Sequence, residues 1–315
     1  MGAIIDIVLP AFCLIGFGYV IARLNYLGEP VGDALADFVF KVAVPVLLMR
    51  SIATAEFGEN NPWFFALAYF MAIAVVWLVA MALIRFVFKR GARAAVIAGL
   101  GASYSNLILL GIPLTERAFG EPGLQMLFFL ISIHLPTMMM ISTFLMEYAV
   151  RADGVESAPL RPLVVIRNLA RNLAVNPIIV GIFIGIIWRF SGIGVGGTVG
   201  QLMDLLSQTT GPLALIALGM GVIKYGIGGN VIAAVSLSVL SLLAMPATIV
   251  LINATVLPLP PLWFKVAVLI AACPIGVNAY LFATYFRVAE GLSSSVIVLS
   301  LLGSIITIPL WLSFI

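Results

Sequence analysis

The chain has 315 residues, of which 63% are hydrophobic and only 9% charged, with a formal net charge of +3. A water-soluble domain carries roughly a quarter of its residues as charges, so this composition excludes a soluble globule and makes lipid the main solvent. The basic residues fall in short clusters rather than along a stripe, and no nucleic-acid signature is present.

A helix that spans a bilayer needs about 20 mostly apolar residues. Ten runs meet that requirement, at roughly 3–23, 33–53, 62–88, 94–119, 124–149, 172–190, 200–223, 230–257, 262–286 and 292–314. Most are apolar all round, as buried or lipid-bathed helices are, and the short alternating strands of a β-barrel are missing. The first run has no basic segment before it and no small-residue cleavage site, so it reads as a mature helix rather than a signal peptide. Basic residues mark the cytoplasmic side of a membrane. With the amino terminus outside, the odd-numbered connections hold Arg23, Arg85, Lys89, Arg90, Arg93, Arg151, Arg161, Arg167, Arg171, Lys224 and Arg287, against Arg50, Arg117, Arg189 and Lys265 on the other side. Acidic Glu56, Glu59 and Glu121 fall outside. The expectation is both termini outside and the longest connection, 151–171, in the cytoplasm.

Along the chain, Asp6 near the start of the first run and Arg50 at the end of the second read as interfacial. Cys13 lies inside an apolar run, as does Cys273, and both read as small buried hydrophobes. The second run carries Asp37 and Lys41 four residues apart, acid first, which is the favourable order for an ion pair on one helix face. Lys41 is then a positive contact or proton-sensitive switch held by Asp37; the alternative is a lysine that snorkels to the surface.

The fourth run is the most informative. It holds Gly99, Gly101, Ser103, Ser105, Asn106, Gly111 and Pro113. Proline removes a backbone donor and clashes with the preceding turn, which frees polar backbone groups. In lipid these are tolerated only inside protein or beside a wet cavity. The ninth run repeats the pattern with Pro274, Gly276 and Asn278. A half-helix that begins in mid-membrane offers unpaired N–H groups and a partial positive charge, which suit a carboxylate. The alternative is that Gly and Pro here serve helix packing alone. His134, the one histidine, stands before Leu135-Pro136 in the fifth run; it can titrate near neutral pH, or it simply hydrogen-bonds within the bundle.

Ten runs divide as five and five around 151–171, giving units 1–150 and 172–315, and an odd number per unit turns the second upside down. Asp37-x3-Lys41-x3-Pro45 in the second run matches Asp204-x3-Gln208-x3-Pro212 in the seventh, 167 residues later. Asn106 and Asn278 follow small or helix-weakening residues 172 apart. Interrupted helices at matching places in inverted repeats point to a substrate site. No acid pair lies deep in a run, no metal-ligand spacing occurs, no phosphate-binding loop is present, and no nucleophile–base set is visible, so no cofactor or metal is expected.

Tyr104-Ser105-Asn106-Leu107-Ile108-Leu109-Leu110-Gly111-Ile112-Pro113 resembles the asparagine–glycine–proline motif of the auxin efflux carrier family. Val44-Pro45-Val46-Leu47-Leu48, Gly211-Pro212 through Gly219, and Cys273-Pro274 followed by Asn278-Ala279-Tyr280 are similar to further family patterns, and the likeness runs over the whole chain. The resemblance implies an all-α integral membrane protein of ten transmembrane helices in two inverted five-helix repeats, with broken helices four and nine crossing beside the substrate. It implies that Asn106 and Asn278 contact substrate there and that the Asp37–Lys41 pair supports the site; the broken runs add Ser103, Tyr104, Ser105, Gly111, Pro113, Pro274 and Gly276 as expected site residues, and the repeated pattern adds Pro45, Gln208 and Pro212 as expected support. Leu107 and Ile108 depart from the small residue and glycine that many members carry after the asparagine. Plant members export auxin; the short central connection is similar to that of bacterial members, several of them described as malonate or malate permeases. The implied protein is therefore a carrier, not an enzyme, of a small dicarboxylate in a bacterial inner membrane. A coupling proton or sodium ion and a homodimer come with that expectation. A membrane-embedded enzyme or a sensor using the same cavity is the alternative.

Overall fold

The computed structural model describes residues 2–54, 61–155, 167, 171 and 173–315. Glu56, Glu59 and Arg161 of the charge asymmetry, and most of the 151–171 connection, lie outside the described residues. Those described are predominantly helical, with no strand among them beyond one isolated bridge. In chain order the helices are α1 (Gly2–Arg23), α2 (Glu29–Phe38), α3 (Val44–Thr54), α4 (Trp63–Ala82), α5 (Ala92–Ser103), α6 (Ile112–Ala152) and α7 (Pro177–Ser191). They continue as α8 (Gly197–Gln208), α9 (Thr210–Gly221), α10 (Val231–Val239), α11 (Met245–Thr255), α12 (Pro261–Ala271), α13 (Asn278–Tyr285) and α14 (Glu290–Phe314).

Among the described residues six helical stretches are long and apolar enough to cross a membrane: Ile4–Arg23, Trp63–Val87, Leu107–Ala152, Gly197–Lys224, Val231–Thr255 and Glu290–Phe314. Three apolar helices are shorter, namely α5, α7 and α12. At about 1.5 Å per residue the 12 residues of α5 reach about 18 Å, short of the roughly 30 Å hydrocarbon layer. The third stretch, by contrast, is too long for one crossing. It turns at Gly120, whose φ of 61° and ψ of −157° break the helix two residues before Pro122. That φ lies in the region open to glycine.

Prolines also explain most of the irregular turns. The π-helical turns Val39–Ala43, Leu107–Gly111 and Leu240–Ala244 each end within two residues of a proline, Pro45, Pro113 and Pro246. A proline ring clashes with the carbonyl one turn earlier, and a widened turn relieves the clash without ending the helix. Thus α2 and α3 run on through a π turn as one rod.

Small residues let backbones touch. α1 packs along α9, and added methyl groups at Gly18 and Gly219 would collide with the backbone of Ile216 and Ile15 respectively. Close backbone approach of this kind drives association where lipid removes the hydrophobic force between helices. Tyr69, Phe65 and Phe128 fill the interior, whereas Phe17, Leu78, Phe86, Phe183 and Ile306 stand exposed on the outside. Large apolar side chains on that scale suit lipid, not water.

At the end of α6, Asp153 ties down the start of α5. Its carboxylate accepts from the backbone N–H of Ala92 at 2.6 Å and of Arg93 at 3.0 Å, and from Arg93 Nε at 3.2 Å. Burial alone would raise its carboxyl, but these donors outweigh that and hold it below the usual carboxylate range.

Candidate functional site

Two interrupted helices meet in the interior. α5 stops at Ser103, whose hydroxyl turns back to donate to Gly99 O at 2.8 Å. Tyr104 and Asn106 leave helical geometry, with ψ of 80° and 76°. The chain resumes at Leu107, capped by Asn106, whose Oδ1 accepts from Leu109 N at 3.0 Å. The second break lies between α12 and α13. Asn106 N donates to Pro274 O at 2.8 Å, Gly276 N donates to Tyr104 O at 2.8 Å, and Ser105 and Ile275 form an antiparallel bridge. Ile275 N also donates to Ser300 Oγ at 3.2 Å, and Ser105 Oγ to Ala271 O at 3.5 Å. Each break therefore satisfies polar backbone groups that the other leaves open, which is how non-helical chain survives away from water.

The space beside this crossing is a cavity of about 740 Å³. Its floor is Tyr104, Ser105, Asn106, Gly276, Asn278 and His134. Glu29, Asp33, Asp37, Lys41, Lys224 and Tyr225 line it toward the ends of α2 and α9. Helices that begin at Leu107 and Asn278 start at the floor, so both direct their positive ends there. Asn106 has spent its carbonyl oxygen on capping, which leaves its amide NH2 to offer the cavity. Gly276 fits because a methyl group there would stand 3.3 Å from Tyr104 Cδ1 and 3.5 Å from its carbonyl oxygen.

Charge nearly cancels among the described residues at the mouth, with one carboxylate in excess. Lys41 Nζ donates to Asp37 at 2.6 Å, the helix pair expected from sequence, and Lys224 pairs with Asp33. Among the described residues three carboxylates there stand against two ammonium groups, so these residues make no cationic funnel. Among the described residues, the groups that can favour an anion are the donors and helix ends of the floor. At the other end of the same helices Arg50, expected only at an interface, pairs with Asp204.

The cavity thus brings together Tyr104, Ser105, Asn106, Gly276, Asn278, Asp37 and Lys41. The remaining sequence-derived positions do not line it. Ser103, Gly111, Pro113, Pro274 and Pro45 are buried in the frame around it, while Gln208 and Pro212 are exposed on α8 and α9. Lys224, Asp33 and Ser300 carried no signal of their own, because each acts through a partner far away in sequence. His134 was visible as a lone histidine, but its place on the floor was not.

Residues 3–312 match the family model described as "Membrane transport protein". The chain is 26% identical to a protein of Rhizobium meliloti (strain 1021) described as "Putative malonate transporter", over 98% of this chain and 94% of that one. It is 26% identical to an "Uncharacterized transporter" of Methanothermobacter thermautotrophicus, over 97% and 96%. Against auxin efflux carrier component 8 of Arabidopsis thaliana the identity is 23%, over 99% and 96%.

Proposed function

The chain belongs to the membrane transport protein family, the family of the auxin efflux carriers, and from that premise we propose that it carries a small organic anion by alternating access. It is a multi-pass membrane transporter and not an enzyme. The substrate we propose is a dicarboxylate such as malonate or malate. Similarity over nearly the whole length to a protein described as a malonate transporter supports that choice.

The observation that carries the reading is the crossing itself. Two breaks, hydrogen-bonded to each other, form the floor of a cavity with Asn106 and Asn278 and two helix starts facing it. Amide donors and positive helix ends at one point suit a carboxylate. The proposed site is Asn106 and Asn278 with Tyr104, Ser105 and Gly276, framed by Ser103, Gly111, Pro113 and Pro274. Asp37, Lys41, Pro45, Gln208 and Pro212 support it.

Ten spans follow if the turn at Gly120 separates two crossings and each interrupted helix makes one crossing from two halves. The units 1–150 and 172–315 then form inverted repeats about 151–171. The antiparallel run of the two breaks at Ser105 and Ile275 supports this, since a two-fold axis in the membrane plane sets equivalent segments antiparallel. With both termini outside a bacterial inner membrane, the cavity opens to the cytoplasm. A coupling proton or sodium ion and a homodimer belong to the same proposal.

A thermal-shift screen of the purified protein against small carboxylates tests the substrate class. A bound ligand at 100 times its Kd stabilises by about 2.7 kcal/mol. The expected result is a rise with malonate or malate that Asn106→Ala and Asn278→Ala lose. A rise of equal size in both variants would count against the site.

A further inference from the structure

We infer that His134 completes the anion site from α6, holding the substrate's negative group through Nε2, and that a proton is taken up with the substrate there. This rests on reading the cavity as the transport site.

His134 is only 2% exposed, yet it lines the cavity. Three aromatic rings fix its orientation: Tyr104 at 4.8 Å between centroids, Tyr69 at 5.9 Å and Phe70 at 6.0 Å. Its Nε2 is buried and has no hydrogen-bond partner among the described residues. Buried polar atoms in native proteins almost always have one. Tyr69, Phe70 and Tyr104 crowd the ring from two other elements, and the cavity that His134 lines is the open side from which a partner can reach it once the side chain turns toward it.

The chemistry of that partner is set by the rest of the floor. Asn106 offers NH2, its oxygen being engaged by Leu109 N. The helix starts offer N–H groups. A group that joins these to an imidazole N–H must accept hydrogen bonds from all of them, as a carboxylate does.

The groups facing His134 bear on the proton. Tyr69 reaches it from α4 and Tyr104 from the first break. Cys273 borders Tyr69 from the second break. None of these is charged near neutral pH. The charged residues of the cavity, Glu29, Asp33, Asp37, Lys41 and Lys224, stand at its mouth. Of the floor residues, His134 alone can gain a positive charge in that range. An anion beside it favours the imidazolium, and by reciprocity the imidazolium favours the anion.

The test uses the purified full-length protein with malonate as probe. Binding is measured between about pH 5.5 and 8, the range around a free histidine's titration. Wild type should bind more tightly as pH falls, by up to about tenfold per unit. His134→Gln keeps a donor but cannot titrate. It should match wild type within about threefold at pH 8 and fall behind progressively below it. Malonate's own titration is common to both proteins and cancels in their ratio. A constant ratio across the range overturns the inference. Should the variant fail to fold, wild type alone still decides: in weakly buffered solution at about pH 7, saturation with malonate should take up protons, and no uptake overturns the inference. Asn106→Ala separates the two claims. Binding lost in that variant with a constant wild-type to His134→Gln ratio removes the histidine alone, whereas unchanged binding in both variants removes the cavity as the site.

Discussion

At the scale of single residues, the crossing depends on shape as much as on polarity. Gly276 is where the second break lies against the first, and an alanine there meets Tyr104 at 3.3 Å. Tyr104 also accepts the Gly276 N–H and supports the His134 ring, so it cannot retreat freely. Gly276→Ala should therefore destabilise by about 1–3 kcal/mol, the usual cost of overfilling a packed site. Uptake should fall with it, and thermal unfolding alongside a transport assay checks both. Unchanged stability with full transport would mean that the two breaks are not held as tightly as their hydrogen bonds indicate. Asn106 was legible from sequence because an asparagine before Gly111 and Pro113 has few structural uses in an apolar run. Its division of labour, oxygen to the cap and NH2 to the cavity, was not legible, because it depends on where Leu109 N falls. His134 was ambiguous for the same reason: a lone histidine carries no information about which rings enclose it.

At the scale of elements, the breaks and the turn at Gly120 were written in the positions of glycine and proline, and the expected boundary near 119–124 falls at that turn. The π turns were not legible, since a proline in a helix can kink it, end it or widen a turn, and neighbours decide which. Ion pairs between elements were hidden too. Asp33 on α2 meets Lys224 after α9, and Arg50 on α3 meets Asp204 on α8, so two pairs bind the same two rods at opposite ends. In an alternating-access carrier these contacts would open in turn. Both pairs are partly exposed, so each contributes only about 0–1 kcal/mol to stability. Asp33→Asn should leave the unfolding midpoint within a few degrees yet change the uptake rate several-fold. Lys224→Met should do the same, and the double variant should add nothing further. Additive effects would show that the two residues act separately.

At the scale of the whole molecule, composition settled most of the architecture. A chain with 63% hydrophobic residues and exposed Phe17, Leu78 and Phe183 has to live in lipid, and lipid admits helices or closed barrels. Among the described residues six long stretches coincide with expected apolar runs, fewer than the ten runs read from the sequence. The short helices α5 and α12 are the exception that matters, because each stops at the crossing rather than at the membrane surface. Order and spacing of short motifs pointed to the family, which the match over residues 3–312 bears out. The location of the cavity and the ion pairs at its mouth were beyond the sequence, because residues from α2, α6, α7, α9 and both breaks combine to form it. Uptake of radiolabelled malonate into liposomes containing the purified protein tests the central claim most directly. Wild type should show saturable uptake. Asn106→Ala and Asn278→Ala, folded and inserted, should each lose about tenfold or more, the effect of removing a hydrogen bond to a charged group. Uptake at the wild-type rate by both variants would contradict the assignment of the crossing as the place where the anion is held.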